Sequence, residues 1–321
     1  MQGLKAGVRG LVGSVASCLL AAAWLSCGAR TGLLEPDFDA SGGRGGLVDS
    51  GPEDASGGGD TSRDAAPDSP VVTSCADAGS TYIYLITAQR QLLSFYPPMA
   101  EFALIGTVAC PIAPRESPFS MAVDRAGVAY VLFDDGELFR VSTRDASCQA
   151  TPFQVGQLGF QTFGMGFSTD QNALGETLYV DQIQSRTTGP SLGLGTIDVQ
   201  TYQLGFIGTF DDPTNAGGEL TGNGESQLYG YFFHTTGSGG TLTQLDRQSG
   251  KTISSVALPI GNAQSSLAFA FWGGQFYIFT SQLTNPTTVT RYSPSDGSPQ
   301  VVADYAGTIT GAGVSTCAPQ H

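Results

Sequence analysis

Carboxylates are the chemistry-bearing groups this chain offers in number: 28 Asp and Glu stand against 14 Lys and Arg and two His. A pair of carboxyl groups flanking a glycosidic bond can serve as acid and base or nucleophile. The candidates for such work are Glu219, with Asp124 and Asp170 behind it. Asp124 precedes Arg125-Ala126-Gly127, which also reads as a β-turn. Of the two His, His321 is the last residue and His234, after Tyr231-Phe232-Phe233, reads as structural, which leaves no basis for a His-based triad or a two-His metal site. Asp134-Asp135-Gly136 and Asp211-Asp212-Pro213 lack the ligand spacing of a calcium loop. Gly193-Leu194-Gly195 lies in a strand-like stretch with no helix after it, so it is not a phosphate loop. No motif for a metal, a cofactor or a catalytic residue stands out. Trp272, beside Gly273-Gly274 in a hairpin turn, is the best single candidate for holding a ligand on an aromatic face; its alternative role is packing between neighbouring sheets.

The elements that must position these residues repeat. A strand with apolar first and fourth places, often followed by Asp or Ser, recurs about every 50 residues, at Leu93-Ser94-Phe95-Tyr96-Pro97, Leu138-Phe139-Arg140-Val141-Ser142, Leu194-Gly195-Thr196-Ile197-Asp198, Leu242-Thr243-Gln244-Leu245-Asp246 and Val289-Thr290-Arg291-Tyr292-Ser293. Each copy is preceded by a β-branched and aromatic strand, such as Val128 to Phe133, and followed by a short apolar strand, such as Thr151 to Val155 or Thr252 to Leu258. A fourth kind, rich in small residues, comes before these: Ser120 to Asp124, Gly164 to Phe167, Glu219 to Gly222 and Ser266 to Phe269. The first repeat lacks it, and the missing piece stands at the far end as Ile309 to Val314.

Four strands per repeat, with the first repeat completed from the C-terminal end, predict an all-β domain over 75–321: a five-bladed β-propeller closed by the C-terminal strand. Small residues belong on the innermost strands, where blades crowd the axis. Through its Leu-x-x-Ile-Asp type strand the chain resembles quinoprotein-like and other bacterial repeat propellers; that resemblance implies the fold, not an activity. The competing architecture, a pair of β-sandwiches, gives no reason for this period. In the propeller reading Glu219 takes the place that Ser120, Gly164, Ser266 and Gly311 hold in the other repeats. There it would meet a ligand or cation in the channel, or be solvated at its mouth.

Beyond Cys18 and Cys27, four Cys remain, and Cys75, Cys110, Cys148 and Cys317 allow three disulfide pairings. The propeller reading selects Cys75 with Cys317, which staples the ring, and Cys110 with Cys148, with Cys148 between the outer two strands of the second blade. No Cys-x-x-Cys suggests zinc or thiol redox chemistry.

Ahead of the repeats, Lys5 and Arg9 precede an uncharged run from Leu11 to Ser26, shorter than a membrane span and read as a signal peptide over 1–26. Leu25-Ser26-Cys27-Gly28 resembles the bacterial lipobox, which implies lipidation of Cys27. Val15-Ala16-Ser17-Cys18 fits the pattern letter by letter but would leave too short an apolar region, and cleavage after Ala21-Ala22-Ala23 would give a soluble secreted protein. Gly28, where Asp would retain a lipoprotein at the inner membrane, implies the outer membrane. Residues 27–74 then form the lipidated N-terminus and a linker of Asp, Gly, Ser and Pro, too poor in large apolar residues to order itself and expected to be a disordered acidic tether.

A net charge of −14 offers no basic patch for nucleic acid and no attraction to an anionic lipid surface, so membrane contact must come through the lipid anchor. The expectation is a monomeric cell-envelope binding or scaffold module for a glycan, peptide or protein, with Glu219 and Trp272 as ligand-binding candidates. The alternative is a carbohydrate-active enzyme using channel carboxylates.

Overall fold

The computed structural model describes Cys75 and residues 81–321, apart from 173, 184–190, 212–214, 235–236, 263–264 and 283–285. The expectations for residues 1–74, including the signal peptide, Cys27 and the linker, lie outside the described residues.

The described strands form five four-stranded antiparallel sheets. Blade one consists of β20 (Ile309–Gly313), β1 (Ile83–Thr87), β2 (Gln91–Tyr96) and β3 (Glu101–Thr107), in that order from the axis outward. Blade two is β4 (Pro118–Val123), β5 (Val128–Phe133), β6 (Leu138–Ser142) and β7 (Cys148–Ala150). Blade three is β8 (Phe163–Thr169), β9 (Glu176–Gln182), β10 (Leu194–Ile197) and β11 (Leu204–Gly208). Blade four is β12 (Asn215–Gly222), β13 (Leu228–His234), β14 (Gly240–Leu245) and β15 (Thr252–Leu258). Blade five is β16 (Ser265–Trp272), β17 (Gln275–Gln282), β18 (Thr287–Tyr292) and β19 (Pro299–Tyr305). The inner strands touch in the cyclic order β20, β4, β8, β12, β16 and back to β20. This is a closed five-bladed β-propeller, and the sandwich alternative is excluded.

Closure runs through the C-terminal strand: Tyr84 pairs with Gly313, Leu85 with Ala312 and Ile86 with Gly311. The crowding of the axis explains the small residues. A Cβ on Gly164 of β8 would lie 2.0 Å from the Gly218 carbonyl oxygen on β12, and one on Gly313 would lie 2.7 Å from the Val123 amide on β4. Neither position has space for any side chain.

Five apolar clusters fill the wedges between adjacent blades, so both faces of most sheets are buried. Between blades five and one, for example, Phe95 meets Phe279 and Tyr277 edge-on. The Asp of the repeated strand has a local cause. Asp198 Oδ1 accepts hydrogen bonds from the Gln200 and Thr201 amides, and Asp246 Oδ1 accepts them from Gln248 and Ser249, so each carboxylate folds the turn into its outer strand.

Cys75 is joined to Cys317 and Cys110 to Cys148, each pair with its Cα atoms 5.1 Å apart. The first bond ties the segment ahead of blade one to the end of that blade's closing strand. One detail is corrected. The outer strand of blade two is Cys148–Ala150, not Thr151 to Val155, so Cys148 opens that strand instead of lying before it. Pro152 has no amide to donate, and the Thr151 hydroxyl turns back onto the Leu138 carbonyl, so pairing stops at Ala150.

The two disulfides point to an oxidising, non-cytoplasmic compartment. No helix among the described residues is long and apolar enough to cross a membrane.

Candidate functional site

Glu219 lies on β12, the inner strand of blade four, and is 2 % exposed. Its Oε2 accepts a 2.7 Å hydrogen bond from the hydroxyl of Ser120, itself fully buried on β4 of blade two. Blades two and four are separated by blade three, so this bond crosses the axis. It can form because β8 carries Gly164, where a Cβ would stand 2.9 Å from the Glu219 Cα. A solvated carboxylate at the channel mouth is therefore not what the fold builds: Glu219 is inside the channel and bridged to the opposite wall.

The other carboxylates proposed with it do different work. Asp124 Oδ1 accepts the Val128 amide and closes the β4–β5 hairpin, as the turn reading required. Asp170 accepts the Thr177 hydroxyl in the corresponding hairpin of blade three. His234 meets the Thr241 hydroxyl at 3.0 Å, across from its neighbouring strand.

A buried carboxyl group that sequence reasoning missed is Asp181, on β9. It accepts the Gly218 amide at 2.6 Å and a hydrogen bond from the Ser191 hydroxyl. Burial pushes its pKa up to about 8, against the lowering effect of both bonds. Its sequence setting, Val180-Asp181-Gln182, gives no hint, because only the approach of blade four's backbone makes the position special.

At the opposite ends of these inner strands the C-terminal segment crosses the channel mouth. The Thr316 hydroxyl accepts from Arg125 Nε at 2.7 Å and donates to Glu176 Oε2 at 2.8 Å, joining blades two and three. Glu176 Oε1 accepts the Arg125 amide, while Gly273 of blade five donates its amide to the Pro319 carbonyl and Gly224 of blade four to Gln320. Burial raises the Glu176 pKa to about 7; the Arg125 amide, the Thr316 hydroxyl and the Arg125 charge oppose it.

Trp272 is on this same side, as the last residue of β16 beside the Gly273-Gly274 turn. It packs against the apolar cluster between blades five and one, and its Nε1 donates to the Thr81 carbonyl at 2.9 Å. The ring is thus fixed in place and half-buried. Next to it stand Tyr96, with ring centroids 6.4 Å apart, and then Tyr82, 5.7 Å from Tyr96 and 38 % exposed. Tyr84 adds a fourth ring, 6.4 Å from Tyr82. Tyr82 and Tyr96 were legible in principle: Ile83 pairs with Phe95, which sets the residues just outside that pair across from each other. Such a row of tilted rings can hold the C–H face of a ligand, with phenol hydroxyls at hand for hydrogen bonds.

No protein-family model matches the chain. No curated protein matches it either. Among solved structures, Kuenenia stuttgartiensis hydrazine synthase superposes with a TM-score of 0.42 at 14% identity, over 70% of this chain and 68% of that one. The Aleuria aurantia lectin in complex with Fucalpha1-6GlcNAc superposes with a TM-score of 0.40 at 13% identity, over 74% of this chain and 85% of the lectin. A Bacteroides caccae protein of unknown function gives 0.37 at 11% identity, over 73% and 98%. Likenesses this distant say nothing of ligand or activity, and the fold assignment stands on the strand order.

Proposed function

We propose that this chain is a cell-envelope lipoprotein whose propeller is a binding module, and that it takes a glycan on the aromatic row Tyr82, Tyr96 and Trp272 at the seam of blades five and one. The observation that carries this reading is the row itself. Three rings from two blades stand in succession at a half-exposed surface, and the innermost is locked by an indole hydrogen bond to Thr81. Rigid aromatic side chains supply contact area with little loss of conformational freedom on binding. The excess of negative charge favours a neutral ligand over an anionic one. Anchorage through Cys27 rests on the lipobox-like Leu25-Ser26-Cys27, and sorting to the outer membrane on Gly28.

The carbohydrate-active alternative has less support. It calls for carboxylates converging on one bond, and Asp124 and Asp170 are engaged in hairpin turns.

The test is a glycan array probed with the purified exported domain, followed by calorimetry on any hit. Tyr82→Ala and Trp272→Ala should each weaken binding at least about tenfold. Tyr82→Ala is the decisive variant, because its ring is exposed and its loss leaves the core intact. Unchanged affinity in Tyr82→Ala and Trp272→Ala would remove the seam as the site, and binding of peptides alone would replace the glycan.

A further inference from the structure

Trp272 is supported from two directions, and both supports lead to the C-terminal segment 315–320. In the first, the Gly273 amide beside the indole donates to the Pro319 carbonyl at 2.8 Å. The segment passes so close to this turn that a Cβ on Gly274 would lie 3.2 Å from the Gln320 carbonyl oxygen. Ala318 is buried in the apolar cluster against which the indole packs. In the second, the indole Nε1 donates to the Thr81 carbonyl at 2.9 Å. Thr81 follows Cys75 by six positions, and Cys75 is bonded to Cys317 of the same segment. The segment is itself held by the Thr316 hydroxyl, which accepts from Arg125 and donates to Glu176. Its covalent tie is the more open of the two disulfides: Cys75 is exposed and Cys317 half-buried, whereas Cys110 is buried. An exposed disulfide is within reach of an attacking thiolate.

We infer that the segment 315–320 is a strap that sets the indole of the aromatic row, and that the Cys75–Cys317 bond is its redox control: the seam is assembled for a ligand only when that bond is closed. The ligand half of this inference rests on the seam being the binding site proposed above. Opening the bond takes two electrons and two protons from a dithiol, which becomes a disulfide and leaves Cys75 and Cys317 as thiols. The open chain regains the freedom that the cross-link had removed, at the end of the strap and ahead of β1 alike. Both supports of the indole then loosen together. A ligand must order the ring as it binds, and that cost is taken from its affinity. Oxidation after export is thus a condition for binding as well as for stability.

The test needs no ligand at its first step. The chain has two Trp, so in a Trp24→Phe background Trp272 is the single indole. Its emission and its quenching by acrylamide are read in that parent, in Cys75→Ser/Cys317→Ser, in Thr316→Val and in Cys110→Ser/Cys148→Ser. The last variant, which keeps only the strap's bond, is read before and after dithiothreitol. Circular dichroism checks that each protein is folded. The expected result is a red shift and stronger quenching in Cys75→Ser/Cys317→Ser and Thr316→Val. Cys110→Ser/Cys148→Ser should match the parent until dithiothreitol is added, and then shift. The affinity of any glycan bound by the parent should fall about fivefold or more in Cys75→Ser/Cys317→Ser. Emission and quenching unchanged in Cys75→Ser/Cys317→Ser would overturn the inference, and Thr316→Val decides in its place if that variant does not fold. An equal shift in untreated Cys110→Ser/Cys148→Ser would also overturn it, as the mark of a general loosening, and so would a glycan affinity indifferent to the open bond. A parent that binds no glycan, while its indole shifts as expected, would remove the seam as a glycan site and uphold the strap's hold on Trp272.

Discussion

Ser120 and Glu219, 99 residues apart on the inner strands of blades two and four, are joined by a 2.7 Å hydrogen bond across the propeller axis. Both are almost wholly buried. Removing one partner of a buried hydrogen bond costs about 1–3 kcal/mol, because the other is left without it away from water. Ser120→Ala should therefore lower unfolding stability by about 1–3 kcal/mol. Glu219→Gln, which keeps an acceptor oxygen, should cost less than Glu219→Ala. Urea midpoints of the three variants rank them; a Ser120→Ala protein as stable as the parent would show that the bond holds nothing together.

Ring closure has its own signature. Removing residues from Ile309 onward strips β20 from blade one, exposes the edge of β1 and opens the ring between blades five and two. Cooperative thermal unfolding should be lost. The Cys75–Cys317 bond closes a span of 242 residues and the Cys110–Cys148 bond one of 38. In the chain-entropy account the longer loop is worth about 5.5 kcal/mol and the shorter about 4. Replacing Cys75 and Cys317 by Ser should thus destabilise the domain more than replacing Cys110 and Cys148, a ranking that guanidinium titrations can read directly.

Stability should fall as pH rises from about 4.5 to 8. Glu176 and Asp181 both have folded pKa values above their ordinary ones, at about 7 and about 8, with burial as the leading cause. Each therefore favours the folded state fully at pH values below its unfolded pKa, and that contribution is lost as pH climbs through the folded one. Asp198 and Asp246 are held below the usual carboxylate range by turn hydrogen bonds, so their effect belongs to more acid conditions. Asp181→Asn keeps an acceptor for Gly218 and cannot ionise. It should match the parent below about pH 3.8 and exceed it by a margin that grows as pH rises toward 8. Urea unfolding at several pH values tests this, and a parent whose stability rises across the interval would contradict it.

If Cys27 carries the lipid anchor, Cys27→Ser should move the protein from the detergent phase of fractionated cells to the aqueous phase. A variant that stays with the membrane would have another attachment.

Much of this architecture is legible in one dimension, because a propeller repeats. Strand types return at a fixed period, and the absence of an inner strand before Tyr82 with its counterpart at Ile309 announces how the ring closes. The cysteine pairing follows from that closure, since only a ring brings Cys75 to Cys317. Local chemistry is equally plain: Asp198 and Asp246 fold turns within their own sequence neighbourhoods. What tertiary structure alone decided is every relation between blades. Glu219 reads as an odd carboxylate among small residues, but its bond to Ser120 depends on how closely the inner strands crowd past Gly164. Asp181 is buried only because blade four packs over it, and its carboxyl group meets the Gly218 amide of that blade. Trp272 acquires Tyr96 and Tyr82 as neighbours only when the last blade meets the first. Period and pattern encode how one sheet pairs with itself. The contacts between sheets are set by packing among residues far apart in the chain, which no local pattern records.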